Sequence, residues 1–110
     1  MREAVIVSTA RTPIGKAFKG AFNDTQAQEM AGHAIAEAVK RSKVSKEEID
    51  DVIIGAAGQQ GSQQGNIARQ SLLRAGLPVS VAGMSLDRQC ASGMMAVSYT
   101  HLRAHETMAH

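Results

Sequence analysis

Residues 85–97 read Ser-Leu-Asp-Arg-Gln-Cys-Ala-Ser-Gly-Met-Met-Ala-Val, and they contain the chain's only cysteine, Cys90. The stretch begins as the end of an apolar strand, passes through a short polar turn, and becomes small and apolar from Cys90 onward. This order predicts a strand, a turn and a helix that opens at Cys90 or just after it. A strand that leads directly into a helix is the repeating unit of α/β folds, so this stretch decides the fold class.

The sequence before this stretch repeats the same alternation of strand and helix. Short apolar, β-branched runs predict buried strands at residues 4–8, 52–54 and 79–86. Helical periodicity predicts helices from residue 27 to about 41, over 66–75, and from 90 through 97. Three successive strand–helix units predict a layered α/β domain with a mostly parallel sheet.

The same patterns give expectations for individual side chains. Ile67, Leu72 and Leu73 should point inward from the second helix, and His33 should be a partly buried structural histidine in the first. Capping boxes are expected at the starts of two helical segments, formed by Thr25 with Gln28 and by Ser45 with Glu48.

Composition excludes several classes of protein. The net charge is +2 and the basic residues are scattered among few aromatics, so no nucleic-acid partner is expected. No apolar run approaches the length of a membrane span. The chain runs from Met1 straight into a strand without a signal peptide, and a single cysteine cannot form an internal disulfide. These features predict a cytoplasmic protein in a reducing compartment.

Cys90 is the candidate nucleophile. The thiolate is the reactive form of cysteine, and the start of a helix favours negative charge. The small residues Ala91, Ser92 and Gly93 leave room for a substrate carbonyl, whose developing oxyanion could be held by the first N–H groups of the helix. Covalent catalysis through Cys90 is therefore one hypothesis. The alternative from the residues alone is a small buried cysteine that only packs.

Three motifs together resemble the thiolase family. The segment 88–97 resembles the family's nucleophile segment, in which Cys-x-Ser-Gly follows a strand and opens a helix. The opening run Ala-Val-Ile-Val-Ser-Thr-Ala-Arg-Thr-Pro-Ile-Gly-Lys, residues 4–16, is similar to the family's first strand and loop. Gln-Gly-Asn-Ile-Ala-Arg-Gln, residues 64–70, resembles the family's Gly-Gln-Asn-x-Ala-Arg segment. The motifs occur in the family's order across residues 1–97.

The resemblance implies an acyltransferase that moves an acyl group between acyl-CoA thioesters through a thioester on Cys90. It implies coenzyme A thioesters as substrates, no bound cofactor or metal, and a homo-oligomer, dimer or tetramer, in the full-length parent. The family's acid and base residues belong to later segments that are absent here, so the chain is expected to be an incomplete N-terminal domain with little activity alone. Many thiolases have Asn where this chain has Asp87, which leaves the subfamily open.

Residues 98–110 differ from the rest of the chain. This polar stretch carries three of the four histidines, and it departs from the family's pattern, so a boundary is predicted between residues 97 and 98. A metal-binding role for His101, His105 and His110 ranks below a stretch without function.

A non-catalytic domain that binds a partner subunit remains the alternative to the acyltransferase. The glycines at 55, 58, 61 and 65 lack the order of a dinucleotide-binding turn.

Overall fold

The computed structural model describes the backbone of residues 3–109 and the side chains of residues 3–104. The helices and strands are, in chain order, α1 (Ala27–Ser42), β1 (Asp51–Gly55), α2 (Ile67–Arg74), β2 (Ala82–Leu86) and α3 (Ser92–Ala109). Short 3-10 turns at Lys46–Glu48 and Gly61–Gln63 precede β1 and α2.

The two strands form a parallel sheet. Asp51 lies opposite Ala82 and Gly55 lies opposite Leu86, and the Ala56 N–H extends the pairing by donating to the Leu86 carbonyl at 2.9 Å. Because parallel strands need a long crossover, α2 lies between them in sequence, as in other strand–helix–strand units. The predicted α/β class with a parallel sheet is confirmed.

Helices cover both faces of this sheet. A Cβ placed on Gly83 would lie 2.8 Å from the backbone nitrogen of Arg69, which shows that α2 packs against β2 on that face. Gly83 is paired with Val52, and Gly55 lies three residues after Val52 in β1. Because successive residues of a strand point to opposite faces, Gly55 faces the other side of the sheet. A Cβ placed on Gly55 would lie 2.2 Å from the carbonyl carbon of Ser92. The domain is thus layered, with α2 on one face and α3 on the other.

The apolar core lies between the sheet and the first two helices. Leu72, Leu77 and Val81 are buried at its centre. Partly buried side chains from α1, β1, the segment between them and the end of α2 pack against these three: Ile35, Val39, Ile49, Val52 and Ala75. This core holds α2 on the sheet.

The strand predicted at residues 4–8 is wrong. These residues are irregular, and the side chains of Val5, Ile6 and Val7 are between 67% and 72% exposed. A strand is defined by hydrogen bonds to a neighbouring strand, which an apolar run cannot supply by itself. The segment is instead tied to α1, where Arg41 Nη1 donates to the Thr9 carbonyl at 3.0 Å.

The starts of β2 and α3 also differ from the prediction. β2 begins at Ala82 rather than at residue 79, because the Val81 N–H donates to the Pro78 carbonyl at 3.1 Å and closes a turn there. α3 begins at Ser92, two residues after Cys90. It continues without a break across the predicted boundary between residues 97 and 98. That residues 98–110 are unrelated to the preceding domain stays a prediction.

Neither predicted capping box forms. α1 begins at Ala27, whose N–H donates to Ser62 Oγ at 3.1 Å, so a distant hydroxyl serves the start of this helix. The Ser45 hydroxyl donates to the Glu47 carboxylate instead of capping, and this hydrogen bond lowers the pKa of Glu47. Sequence spacing identifies where a cap could form, whereas a competing partner decides whether it does.

Two expected burials are also corrected. His33 is exposed, and Leu73 is 44% exposed, whereas Ile67 and Leu72 are buried as predicted.

None of the helices in the described part of the chain is long and apolar enough to cross a membrane.

Candidate active site

Cys90 lies in the turn between the carboxyl end of β2 and the amino end of α3. Its thiol is free and its side chain is exposed. In open α/β sheets, ligands bind outside the carboxyl ends of the strands, where loops and helix starts meet. The structure therefore places the predicted nucleophile at the edge of the sheet where such chemistry occurs, although the helix starts two residues later than expected.

The hydroxyl of Ser92 closes this turn. Ser92 Oγ accepts a hydrogen bond from the Arg88 N–H at 2.8 Å and donates one to the Gln89 carbonyl at 2.7 Å. The Ser92 N–H also donates to the Gln89 carbonyl, at 3.1 Å. Sequence analysis treated Ser92 only as a small residue that leaves space. The preference of serine for helix starts was the sequence feature that could have indicated its role.

The carboxylate of Asp87 belongs to the same turn. Asp87 Oδ1 accepts a hydrogen bond from the Gln89 N–H at 2.8 Å, the pattern of an Asx turn. The structure shows that one of its oxygens faces the turn backbone.

The start of α3 presents N–H groups beside this turn. The Met95 N–H donates to the Ala91 carbonyl at 2.9 Å, while the N–H groups of Gly93 and Met94 precede this bond. The first N–H groups of a helix have no partner within the helix, and they lie at the positive end of its dipole. An oxyanion that forms on a thioester bound to Cys90 could accept hydrogen bonds from this part of the backbone.

Gly55 sets the distance between this helix start and the sheet. The last residue of β1 approaches the Ser92 carbonyl so closely that any Cβ at position 55 would overlap it. From the sequence, Gly55 was only one of four glycines without the order of a dinucleotide-binding turn. The structure places the close packing at the foot of the helix that follows Cys90.

The segment 64–70 has a structural role in this domain. Asn66 adopts a left-handed conformation with φ 57°, caps α2 by accepting from the Arg69 N–H at 3.3 Å, and donates to the Gly83 carbonyl at 3.0 Å. Arg69 Nη1 donates to the Val79 and Val81 carbonyls at 3.0 and 2.7 Å. These bonds join α2 to β2 and hold the strand that leads to Cys90. The motif is visible in the sequence, whereas these hydrogen-bond partners are seen only in the structure.

The described residues contain no group of three or more His, Cys, Asp or Glu side chains that could hold a metal ion. His101 lies on α3, whereas the side chains of His105 and His110 lie outside the described part of the chain.

One cavity, of about 660 Å³, is a groove between residues 3–6, β1 and α3. Another, of about 220 Å³, lies between residues 12–33. Cys90 lines neither cavity.

Comparison with known proteins gives the class of this domain. The thiolase N-terminal domain family matches residues 4–104, which include the turn at Cys90 and all but the end of α3. The chain belongs to this family.

Curated relatives carry thiolase and acetyltransferase names. The chain is 40% identical over 99 residues to a 3-ketoacyl-CoA thiolase of Bacillus subtilis, covering 90% of this chain and 25% of that protein. It is 42% identical over 100 residues to a 3-oxoadipyl-CoA/3-oxo-5,6-dehydrosuberyl-CoA thiolase of Escherichia coli, with the same coverage. It is 39% identical over 97 residues to an acetyl-CoA acetyltransferase of Syntrophomonas wolfei, covering 88% of this chain and 24% of the relative. The chain thus spans about a quarter of the length of these relatives.

Proposed function

We propose that this domain supplies the nucleophilic cysteine of an acyltransferase that moves acyl groups between coenzyme A thioesters. The observation that carries the proposal is the position of Cys90, a free and exposed thiol in the turn between β2 and the start of α3. Membership of the thiolase family supports acyl-CoA chemistry, and the names of the relatives point to the same class of substrate.

In the first step, the sulfur of Cys90 attacks the carbonyl carbon of an acyl-CoA as a thiolate, and the carbonyl oxygen becomes an oxyanion. Backbone N–H groups at the start of α3 stabilise this oxyanion. When the intermediate collapses, the bond between the carbonyl carbon and the CoA sulfur breaks, and CoA leaves and takes up a proton. The acyl group is then bound to Cys90 as a thioester.

In the second step, the acyl group passes to an acceptor, either the enolate of a second thioester or the thiol of CoA. The acceptor forms a bond to the carbonyl carbon, and Cys90 leaves as the thiolate. Both steps need a group that takes up and returns protons. His101 lies nine residues beyond the start of α3, about 13 Å along the helix axis, so it is not placed to serve the Cys90 turn.

The proton-transfer groups and the remaining CoA contacts are therefore proposed to come from polypeptide outside this chain. As part of the same proposal, the complete enzyme acts in the cytoplasm as a dimer or tetramer and needs no bound cofactor. The chain alone is expected to turn over acetoacetyl-CoA and CoA at least about 10⁴-fold more slowly than a complete enzyme, because catalytic groups that act as a unit fail together.

Acylation of the single cysteine tests the proposal directly. The purified chain is incubated with acetyl-CoA, and the intact protein is analysed by mass spectrometry for the addition of one acetyl group. Because Cys90 is the only cysteine, the Cys90→Ala variant is a complete control for thioester formation. We expect slow acetylation that hydroxylamine reverses and that the variant lacks.

The second candidate is a non-catalytic domain that binds a partner subunit. It is favoured by the absence of Cys90 from the lining of the two cavities described above. Acylation by acetyl-CoA separates the two candidates, and iodoacetamide is the control that reports whether the thiol reacts at all. A Cys90 that is alkylated readily near neutral pH yet is never acylated by acetyl-CoA would support the non-catalytic domain.

A further inference from the structure

The buried hydroxyl of Ser92 has no part in the acyl-transfer steps above, yet all its described hydrogen bonds go to the Cys90 turn. Ser92 is only 5% exposed. Its Oγ accepts from the Arg88 N–H and donates to the Gln89 carbonyl, at 2.8 and 2.7 Å. A buried hydroxyl whose donor is already used by the protein backbone is poorly available to a substrate. Its effect must be exerted on the turn.

Gln89 directly precedes Cys90, and both its N–H group and its carbonyl group are hydrogen-bonded within the turn. Its φ of 52° lies in the left-handed region, which a residue with a Cβ adopts only where its surroundings impose it. Asp87 Oδ1 accepts the Gln89 N–H, and the Gln89 carbonyl accepts from both the hydroxyl and the N–H of Ser92. These bonds fix the direction in which the chain enters Cys90.

We infer that Ser92 is a positioning residue for Cys90. By closing the turn at Arg88 and Gln89, its hydroxyl holds Cys90 next to the first N–H groups of α3, so that the sulfur and the oxyanion donors face the same carbonyl group. The catalytic consequence rests on the proposed function, whereas the positioning of the turn does not. The two parts are therefore measured separately.

Amide hydrogen exchange measures the positioning. In Ser92→Ala, we expect the exchange protection of the Arg88 amide to fall by about tenfold, because this amide loses its acceptor. The Ala56 amide, which donates to Leu86 at the end of the sheet, should keep its protection and serves as the reference. Ser92→Thr retains a hydroxyl and should restore protection at Arg88. Unchanged exchange at Arg88 in Ser92→Ala would overturn the inference.

A second variant covers the case in which Ser92→Ala does not fold, as judged by circular dichroism. Asp87 is exposed, and Asp87→Ala removes the acceptor of the Gln89 N–H without touching the core. We expect the Gln89 amide to lose protection and the Arg88 amide to follow in part, since both belong to one turn. If the Arg88 amide kept its full protection in Asp87→Ala, the turn would not act as one unit and the inference would fail.

Two reactions of Cys90 measure the catalytic consequence. Acylation by acetyl-CoA needs the sulfur and the oxyanion donors correctly placed relative to each other. It should therefore slow by about tenfold to a hundredfold in Ser92→Ala. Alkylation by iodoacetamide needs no oxyanion donor and should stay close to the wild-type rate. Ser92→Thr should restore acylation. Equal slowing of both reactions, without rescue by threonine, would show a general structural role and overturn the inference.

The outcomes for the two proposals are distinguishable. If acetyl-CoA does not acylate the wild-type chain while iodoacetamide alkylates it, the proposed function fails, and hydrogen exchange at Arg88 still decides the role of Ser92. If acylation occurs and is unaffected in Ser92→Ala, the proposed function stands and the catalytic consequence inferred for Ser92 is overturned.

Discussion

Leu72 and Leu73 are adjacent in α2 but have opposite surroundings. Leu72 is fully buried with Leu77 and Val81, whereas Leu73 is 44% exposed. In a helix, neighbouring residues are separated by about 100°, so only one of two adjacent leucines can point directly at the core. At the residue scale, the free energy of unfolding depends on which of these two leucines points towards the sheet.

Leu72→Ala and Leu73→Ala form a matched pair of variants. We expect Leu72→Ala to lower the free energy of unfolding by about 2–5 kcal/mol, because it leaves a cavity in the centre of the core. Leu73→Ala should change it by less than about 1 kcal/mol, because water already reaches this side chain. Urea unfolding followed by circular dichroism measures both. Equal losses would contradict the packing described for α2.

At the scale of elements, the contact between β1 and α3 determines where the Cys90 turn lies. Gly55 at the end of β1 leaves no room for a side chain beneath the backbone of Ser92 and Gly93. Arg103 Nη1 on α3 also donates to Asp51 Oδ2 at the other end of β1, at 2.7 Å. The helix is thus aligned along the strand, and its first residues are held against the edge of the sheet from which Cys90 emerges.

Gly55→Ala tests this contact, with Gly58→Ala as the matched control. A Cβ at position 55 would force the start of α3 away from β1, so we expect a loss of about 1–3 kcal/mol in the free energy of unfolding. A Cβ at Gly58 meets nothing within 4 Å and should have little effect. Thermal unfolding measures the stability of both variants.

The same pair should differ in the reactivity of Cys90. Because Ser92 moves with the start of α3, Gly55→Ala should slow acylation by acetyl-CoA by about tenfold or more, whereas Gly58→Ala should not. A stable Gly55→Ala protein with wild-type acylation would show that the contact does not set the position of the turn.

At the scale of the whole molecule, apolar surface remains uncovered. Val5, Ile6 and Val7 are more than 65% exposed, and residues 3–6 line the 660 Å³ groove beside β1 and α3. Within the described residues, β1 pairs only with β2, so its other edge carries backbone groups without a strand partner. Exposed apolar side chains next to an open strand edge favour association with other polypeptides.

We therefore expect the isolated chain to self-associate at micromolar concentrations, which sedimentation velocity over a range of concentrations would measure. Replacing Val5 and Ile6 together by threonine should shift the distribution towards monomer, because both exposed apolar side chains line the groove. Ile14 is 99% exposed but lies outside the groove, so Ile14→Thr is the control and should leave association nearly unchanged. Equal effects of the two changes would assign association to general surface hydrophobicity.

The sequence by itself determined the class of fold, the approximate positions of β1 and β2, and the turn in which Cys90 lies. These features are local, because periodicity, strand-to-helix order and short motifs act over a few residues. The resemblance to thiolases rested on three such motifs, and the family match over residues 4–104 confirms it. The catalytic role of Cys90 stays a prediction.

Only the tertiary structure decided which partners the local patterns meet. Residues 4–8 have the composition of a strand but no strand to pair with, and Thr25 does not cap α1 because Ser62, far along the chain, supplies the hydroxyl. The role of Gly55 depends on a contact between β1 and α3, which lie some 40 residues apart in sequence. Pairing and close packing depend on groups distant in sequence, so they follow from the folded arrangement and not from any local pattern.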